Sequence, residues 1–196
     1  MSPVRRLEID AAIEAIEALF ESSEGMAYLG EEVSMIEHQL QAGRLAIAAD
    51  VPDALAVAAL LHDVGHMVGQ RIGEDDATSA LAAGADAHHD SSGARWLARW
   101  FGRDVTEPVR LHVAAKRFLV ATEPAYASVL SVASARTLQL QGGPMSAVEV
   151  AEFARHPAAS RAVALRRFDE QAKDAAVDAP PLGEHRDLIA RVLRRR

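Results

Sequence analysis

Residues 54–66 read ALAVAALLHDVGH. A helix that is apolar on every side belongs inside a fold, with other elements packed all round it. This stretch ends on an imidazole and a carboxylate. Burying that pair costs several kcal/mol unless the two are paired or bind a metal. The chain must therefore wrap a shell around residues 54–66 and also satisfy His62 and Asp63. The stretch reads as part of one helix from Pro52 to His66, with Pro52 at or near its first turn. Adjacent helical residues point about 100° apart. Both side chains can still converge on one ion over the helix side.

The shell reads as helices too. Ile9, Ile13, Ile16, Leu19 and Phe20 recur at spacings of three and four. Either Ser2–Pro3 or Asp10 starts that helix, and Gly25 ends it. A second helix covers Ser34 to Ala49. Residues 68–87 carry three Gly and several Asp and read as a loop lying over the site. Helices follow over His89–Phe101, stopped by Gly102, and Glu107–Leu119, with Pro108 early. A segment from Pro124 to Gln141 is closed by Gly142, Gly143 and Pro144. Ser146 and Glu149 have capping-box spacing. That helix ends near His156–Pro157, and another covers Ala158 to Ala175. Asp178 to Pro181 opens a linker, residues 178–183, to a short terminal helix. No alternating β-branched run and no internal repeat occurs. The expected fold class is all-α, a compact helical bundle in one domain over residues 1–196.

Composition narrows the chemistry. The chain has no Cys and eight His, so disulfides, thiolate metal sites, iron–sulfur clusters and a thiol nucleophile are excluded. A net charge of −7 argues against sequence-independent nucleic-acid binding, which needs a basic stripe. The basic cluster Arg191, Arg194, Arg195 and Arg196 complements a helix C-terminus. No apolar run approaches the roughly 18 residues of a membrane span, and Glu14 and Glu17 interrupt the first apolar stretch. A soluble, cytoplasmic protein is expected.

His38, His89, His112 and Asp169 accompany His62 and Asp63. Each lies on a different expected helix, among apolar residues or at a helix end. A single such His is ordinarily a satisfied core or surface imidazole. Four with two Asp point to a metal centre. Imidazole and carboxylate ligands suit iron, manganese or zinc. Six protein ligands are too many for one ion that keeps an open catalytic position. They suit two ions bridged by a carboxylate, and Asp63 is the natural bridge.

The order His38, His62–Asp63, Asp169, with His89 and His112 added, resembles the HD-domain superfamily. More narrowly, the chain resembles the PhnZ-type HD-domain mixed-valent di-iron oxygenases, which cleave carbon–phosphorus bonds. The matching segments are YLGEE (28–32), EHQLQ (37–41), LLHDVGH (60–66), HDSSGARWL (89–97), VRLHVAAKRFL (109–119), LQLQGGPM (138–145) and LRRFDEQAK (165–173). The resemblance implies one iron held by His38, His62, Asp63 and Asp169, and another held by Asp63, His89 and His112. It implies that Tyr28 caps the second iron when substrate is absent. Glu31, expected one turn along a helix, would lie near a substrate amine. His62, Asp63 and Tyr28 would be the catalytic set. His89 is preferred to His88 as ligand because it opens the H-[D/E]-x-x-G-A pattern.

Further residues share register with these ligands. His66 follows His62 by one turn, Lys116 follows His112 by one turn, and Arg166 precedes Asp169 by nearly one. Lys116 and Arg166 read generically as solvated surface residues. On the ligand face they would instead need an anion, and a phosphonate dianion fits. Ser134, Thr137 and Gln141 share a helix face and could bind the same oxygens. Lys173 is either a second partner of Asp169 or exposed. Gly142–Gly143–Pro144 lacks the features of a phosphate-binding loop and reads as a helix stop. Trp96 and Trp100 read as core, and His88, His156 and His185 as surface residues.

What the resemblance implies for function is O2-dependent cleavage of 2-amino-1-hydroxyethylphosphonate to glycine and phosphate. The same chemistry on the N-trimethylated analogue would give glycine betaine. Low aromatic content leans toward the primary amine, since a quaternary amine usually needs aromatic faces. An HD-type phosphohydrolase of nucleotides or phosphomonoesters is the alternative enzyme, and a non-catalytic regulatory module the alternative class.

Overall fold

The computed structural model describes residues 2–28, 30–71 and 88–195. Among these the expected all-α class holds. Ten α-helices occur: α1 (Pro3–Ser22), α2 (Met35–Ala48), α3 (Asp53–Leu60), α4 (Val64–Arg71), α5 (His89–Leu97), α6 (Arg103–Thr122), α7 (Val132–Leu140), α8 (Ala147–Ala154), α9 (Ala159–Gln171) and α10 (Arg186–Arg194). An isolated bridge, Ala27 to Ser34, is the only strand-like pairing among the described residues. None of the described helices is long and apolar enough to cross a membrane.

Local chemistry sets most boundaries. Ser2 caps α1 by accepting from the Arg5 N–H, with Pro3 in the first turn. Ser34 and Glu37 form a capping box on α2, and Ser146 and Glu149 form the expected one on α8. α3 sits at the centre, its Leu55 to Leu60 all buried. It packs on α2, α6, α9 and α10.

Four expected boundaries need correction. The helix from Pro52 to His66 is two helices, α3 and α4, divided by a turn at 61–63. A continuous helix would give the Ala59 carbonyl to the Asp63 N–H. Here that carbonyl meets His62 Nδ1 at 2.8 Å. α4 then runs through Val68 to Arg71, inside the expected loop; 72–87, the rest of it, lies outside the described residues. α6 starts at Arg103 rather than Glu107, so Pro108 lies inside it. The buried row Val105, Val109, His112 and Lys116 carries the helix through the proline. The segment Pro124–Gln141 is a 3-10 turn, Tyr126–Val129, followed by α7 with Ser131 as its cap.

The C-terminal helix is not an appendage. Leu182–His185 form a 3-10 turn that runs straight into α10, so the linker is shorter than 178–183. Leu188, Ile189, Ala190 and Leu193 bury against the main core. His185, expected at the surface, is carried inward by this turn and is 5% exposed. Its burial lowers its pKa. Arg191 and Arg195 pair with Asp53 at the start of α3. His156 is half-buried, 3.4 Å from Glu107. Trp96 and Trp100 sit at the rim of the core rather than within it, in edge contact, with Arg99 over both rings. His88 is exposed.

Candidate metal centre

Five elements deliver six ligand-type side chains to one buried place. α2 brings His38, the 61–63 turn brings His62 and Asp63, α5 brings His89, α6 brings His112 and α9 brings Asp169. All six are buried. They form two groups able to hold an ion: His38, His62 and Asp169, and Asp63, His89 and His112.

Asp63 spans both groups. Its Oδ2 lies 3.7 Å from His38 Nε2 and 3.5 Å from His62 Nε2. Its Oδ1 lies 3.5 Å from both His89 Nε2 and His112 Nε2. Asp169 Oδ1 faces His38 and His62 at 3.4 and 3.8 Å. One oxygen toward each group is the arrangement of a bridging carboxylate.

Position depends on close helix contact. A Cβ on Gly65 would lie 1.9 Å from the His89 carbonyl oxygen. Opposite it, a Cβ on Gly93 would lie 3.0 Å from the Gly65 nitrogen. Two glycines thus let α4 and α5 meet backbone to backbone, which sets His89 beside Asp63.

The donor set fits metal ions. His38, His62 and His112 each point Nδ1 at a backbone carbonyl, of Ala172, Ala59 and Val109. A carbonyl only accepts, so the proton sits on Nδ1 and Nε2 presents a lone pair. Yet His38 Nε2 and His62 Nε2 lie 3.1 Å apart, as do His89 Nε2 and His112 Nε2. Asp63 Oδ1 and Asp169 Oδ1 are buried with no hydrogen-bond donor. Facing lone pairs and bare carboxylate oxygens need a cation between them. In the metal-free chain a proton can take that place. Burial opposes charge on His62, but Asp63 and Asp169 outweigh it and raise its pKa to about 9. Burial also opposes ionisation of Asp63 and Asp169. The imidazoles hold Asp63 well below the carboxylate range, and Arg166 with His38 and His62 does the same for Asp169.

Tyr28 stacks on His38, ring centroids 4.2 Å apart. Burial first, then Asp63 and Asp169, push its phenol well above the usual value. Glu31 lies in the segment between α1 and α2, not on a helix as expected. Gly30, at φ +83°, turns the chain there, and a Cβ on it would meet Ala133 at 2.9 Å. The segment thus runs close along α7, whose cap Ser131 donates to Glu31. His66 does not continue the His62 face, because the turn intervenes. It stacks on His89 instead, centroids 4.0 Å apart.

The polar residues gather on the other side of Asp169. Lys116, 3% exposed, donates to Thr137 Oγ1 at 2.9 Å. Arg166, 4% exposed, reaches Asp169, Glu170, the Tyr126 hydroxyl at 2.9 Å and Ser134 Oγ at 3.3 Å. Neither is a solvated surface residue. Lys173 does not pair with Asp169. It binds Ser134, Glu170 and Glu31. Gln141 is the half-buried C-cap of α7. Glu170, Tyr126 and Ser131 belong to this network and carry no signal in the sequence. Glu170 reads as the solvent side of α9, and Tyr126 sits in a segment without periodicity.

Two adjoining N/O triads buried in an all-helical fold define the class: a helical protein with a candidate two-metal centre. The HD domain family matches residues 19–194, and the chain belongs to that family. It is 38% identical to the [1-hydroxy-2-(trimethylamino)ethyl]phosphonate dioxygenase (glycine-betaine-forming) of Leisingera caerulea, over 97% of this chain and 94% of that one. It is 41% identical to the hydroxymethylphosphonate dioxygenase of Gimesia maris, over 88% of this chain and 85% of that one. The resemblance to the PhnZ-type HD-domain oxygenases is borne out at this level.

Proposed function

We propose that the protein is a dioxygenase that cleaves the C–P bond of a 1-hydroxyphosphonate, releasing phosphate and a carboxylic acid. The observation that carries this reading is the Asp63 carboxylate, with one oxygen toward each of two imidazole pairs. The similarity to two phosphonate dioxygenases supports the substrate class. We assign two irons, as an Fe(II)/Fe(III) pair, to His38, His62 and Asp169 and to His89 and His112, with Asp63 shared. When bound, they supply the redox chemistry for O2 and polarise the substrate's oxygens.

The chain's own residues bind, orient and exclude water. Lys116 and Arg166, the latter also holding Asp169 and Glu170, place cationic N–H donors beside the centre, where a phosphonate dianion would accept from them. Ser134, Thr137 and Gln141 offer neutral hydrogen bonds to its oxygens. His66 packs the His89 ring in place. Tyr28 stacks on His38, and its proposed role is to cap the second iron until substrate displaces it. The finer reading, 2-amino-1-hydroxyethylphosphonate converted to glycine, uses Glu31 as partner of the amine. The N-trimethylated compound and hydroxymethylphosphonate differ from it only at that end. We place the activity in the cytoplasm. A phosphohydrolase would need only His38, His62, Asp63 and Asp169, leaving His89, His112 and Tyr28 without a task.

The test is iron-reconstituted protein with a 1-hydroxyphosphonate under air and under argon. We expect about two irons per chain and phosphate release matched one to one by O2 consumption. Equal phosphate release under argon would replace the oxygenase with a hydrolase.

A further inference from the structure

The amine end of the site already holds an ammonium, and it belongs to the protein. Lys173 Nζ lies 2.7 Å from Ser134 Oγ, 3.2 Å from Glu170 Oε1, 3.3 Å from Glu31 Oε1 and 3.4 Å from Ser131 Oγ. An ammonium has three N–H bonds, and four acceptors surround this one. Glu31 also accepts from Ser131 Oγ at 2.5 Å. The Lys173 side chain is 8% exposed and that of Glu31 10%. Here Glu31 and Glu170 both meet Lys173, while Arg166 is held between Glu170 and Asp169.

A substrate ammonium reaching for Glu31 would have to displace Lys173 from it or lie against a buried like charge. A trimethylammonium would fare worse, having no N–H to donate to Ser131, Ser134 or Glu31. We propose that Lys173 is a specificity-determining residue that occupies Glu31 and steers the site to 1-hydroxyphosphonates without a cationic group. This rests on the C–P-cleaving dioxygenase activity proposed above and replaces its finer reading, the primary amine, with a substrate lacking a cationic group. Lys173 acts through Glu31 and touches no reacting atom.

The test compares hydroxymethylphosphonate, 2-amino-1-hydroxyethylphosphonate and its N-trimethylated analogue. Phosphate release is followed with iron-loaded protein, and binding by anaerobic calorimetry. The wild type should favour hydroxymethylphosphonate by about tenfold or more in kcat/KM, since a buried charge pair readily supplies that factor. Lys173→Met should move the ratio toward the primary ammonium by a similar factor, chiefly through KM and the binding constant. Lys173→Arg should restore the wild-type order, and adding Glu31→Gln to Lys173→Met should abolish the gain. A wild type that prefers either cationic substrate overturns the inference. So does a ratio unmoved in Lys173→Met at full iron content. Failure of all three compounds to release phosphate with O2 overturns the proposed function itself.

Discussion

Gly65→Ala tests whether the α4–α5 contact sets the metal centre. The added Cβ would sit 1.9 Å from the His89 carbonyl oxygen, where a carbon–oxygen contact needs about 3.3 Å. The oxygen is backbone, so no rotamer relieves the clash. α4 and α5 must part by roughly 1.4 Å, the difference between those two distances. Overpacking of this kind costs about 1–3 kcal/mol. For a chain of this length that is a fall of about 2–4 °C in Tm per kcal/mol. The shift also carries His89 away from Asp63 Oδ1 and His112 Nε2, now at 3.5 and 3.1 Å. Metal ligands tolerate about 0.2 Å. The Asp63–His89–His112 group should therefore lose its ion while the His38–His62–Asp169 group keeps its own. Metal analysis and thermal unfolding should show about one metal per chain and a lower Tm. Gly183→Ala, which meets nothing within 4 Å, serves as control and should change neither. Two metals per chain with an unchanged Tm in Gly65→Ala would refute the reasoning.

Other expectations follow from the same geometry. Asp63→Asn leaves one bare carbonyl oxygen where two carboxylate oxygens reached both groups, so metal content should fall below one per chain and phosphate release should drop at least about a hundredfold. Arg166→Lys loses the fork that joins Asp169, Glu170 and Tyr126, so kcat/KM should fall about tenfold or more with the metal retained. In the chelated protein His62 titrates near pH 9 against 6.5 for a free imidazole. Its folded pKa is raised, so its stabilisation is full below about pH 6.5 and is lost as pH rises through about 9. Tm of the stripped protein should drop across that window, and Tm of the loaded protein should not.

The candidate ligands are legible because their residue types are scarce in apolar helices. His38, His62, Asp63, His89, His112 and Asp169 stand out against Ala and Leu, and folding brings all six together. The break at 61–63 was not legible. The stretch is apolar on both sides of the break, so its periodicity carries no mark of where the helix ends. The partners of the cations were hidden for another reason. Arg166 takes Glu170 one turn along its own helix, a spacing that on most helices means a solvated pair. Lys173 and Glu31 meet across the fold, with nothing local in either segment to announce it. The Glu and Arg neighbours of His185 look like surface, while its burial comes from the 3-10 turn feeding α10.

The turn at 61–63 explains how one dipeptide serves two groups. On a continuous helix His62 and Asp63 would diverge from a common axis, and a single ion above that axis would be their natural meeting point. With the helix interrupted, His62 turns to α2 and α9, where His38 and Asp169 wait. Asp63 shares that group through Oδ2 and reaches α5 and α6 through Oδ1. The His62 bond to the Ala59 carbonyl at this turn puts the proton on Nδ1 and leaves Nε2 bare for a metal. Helix continuity is given up at the one place where its loss lets a single carboxylate face both imidazole pairs.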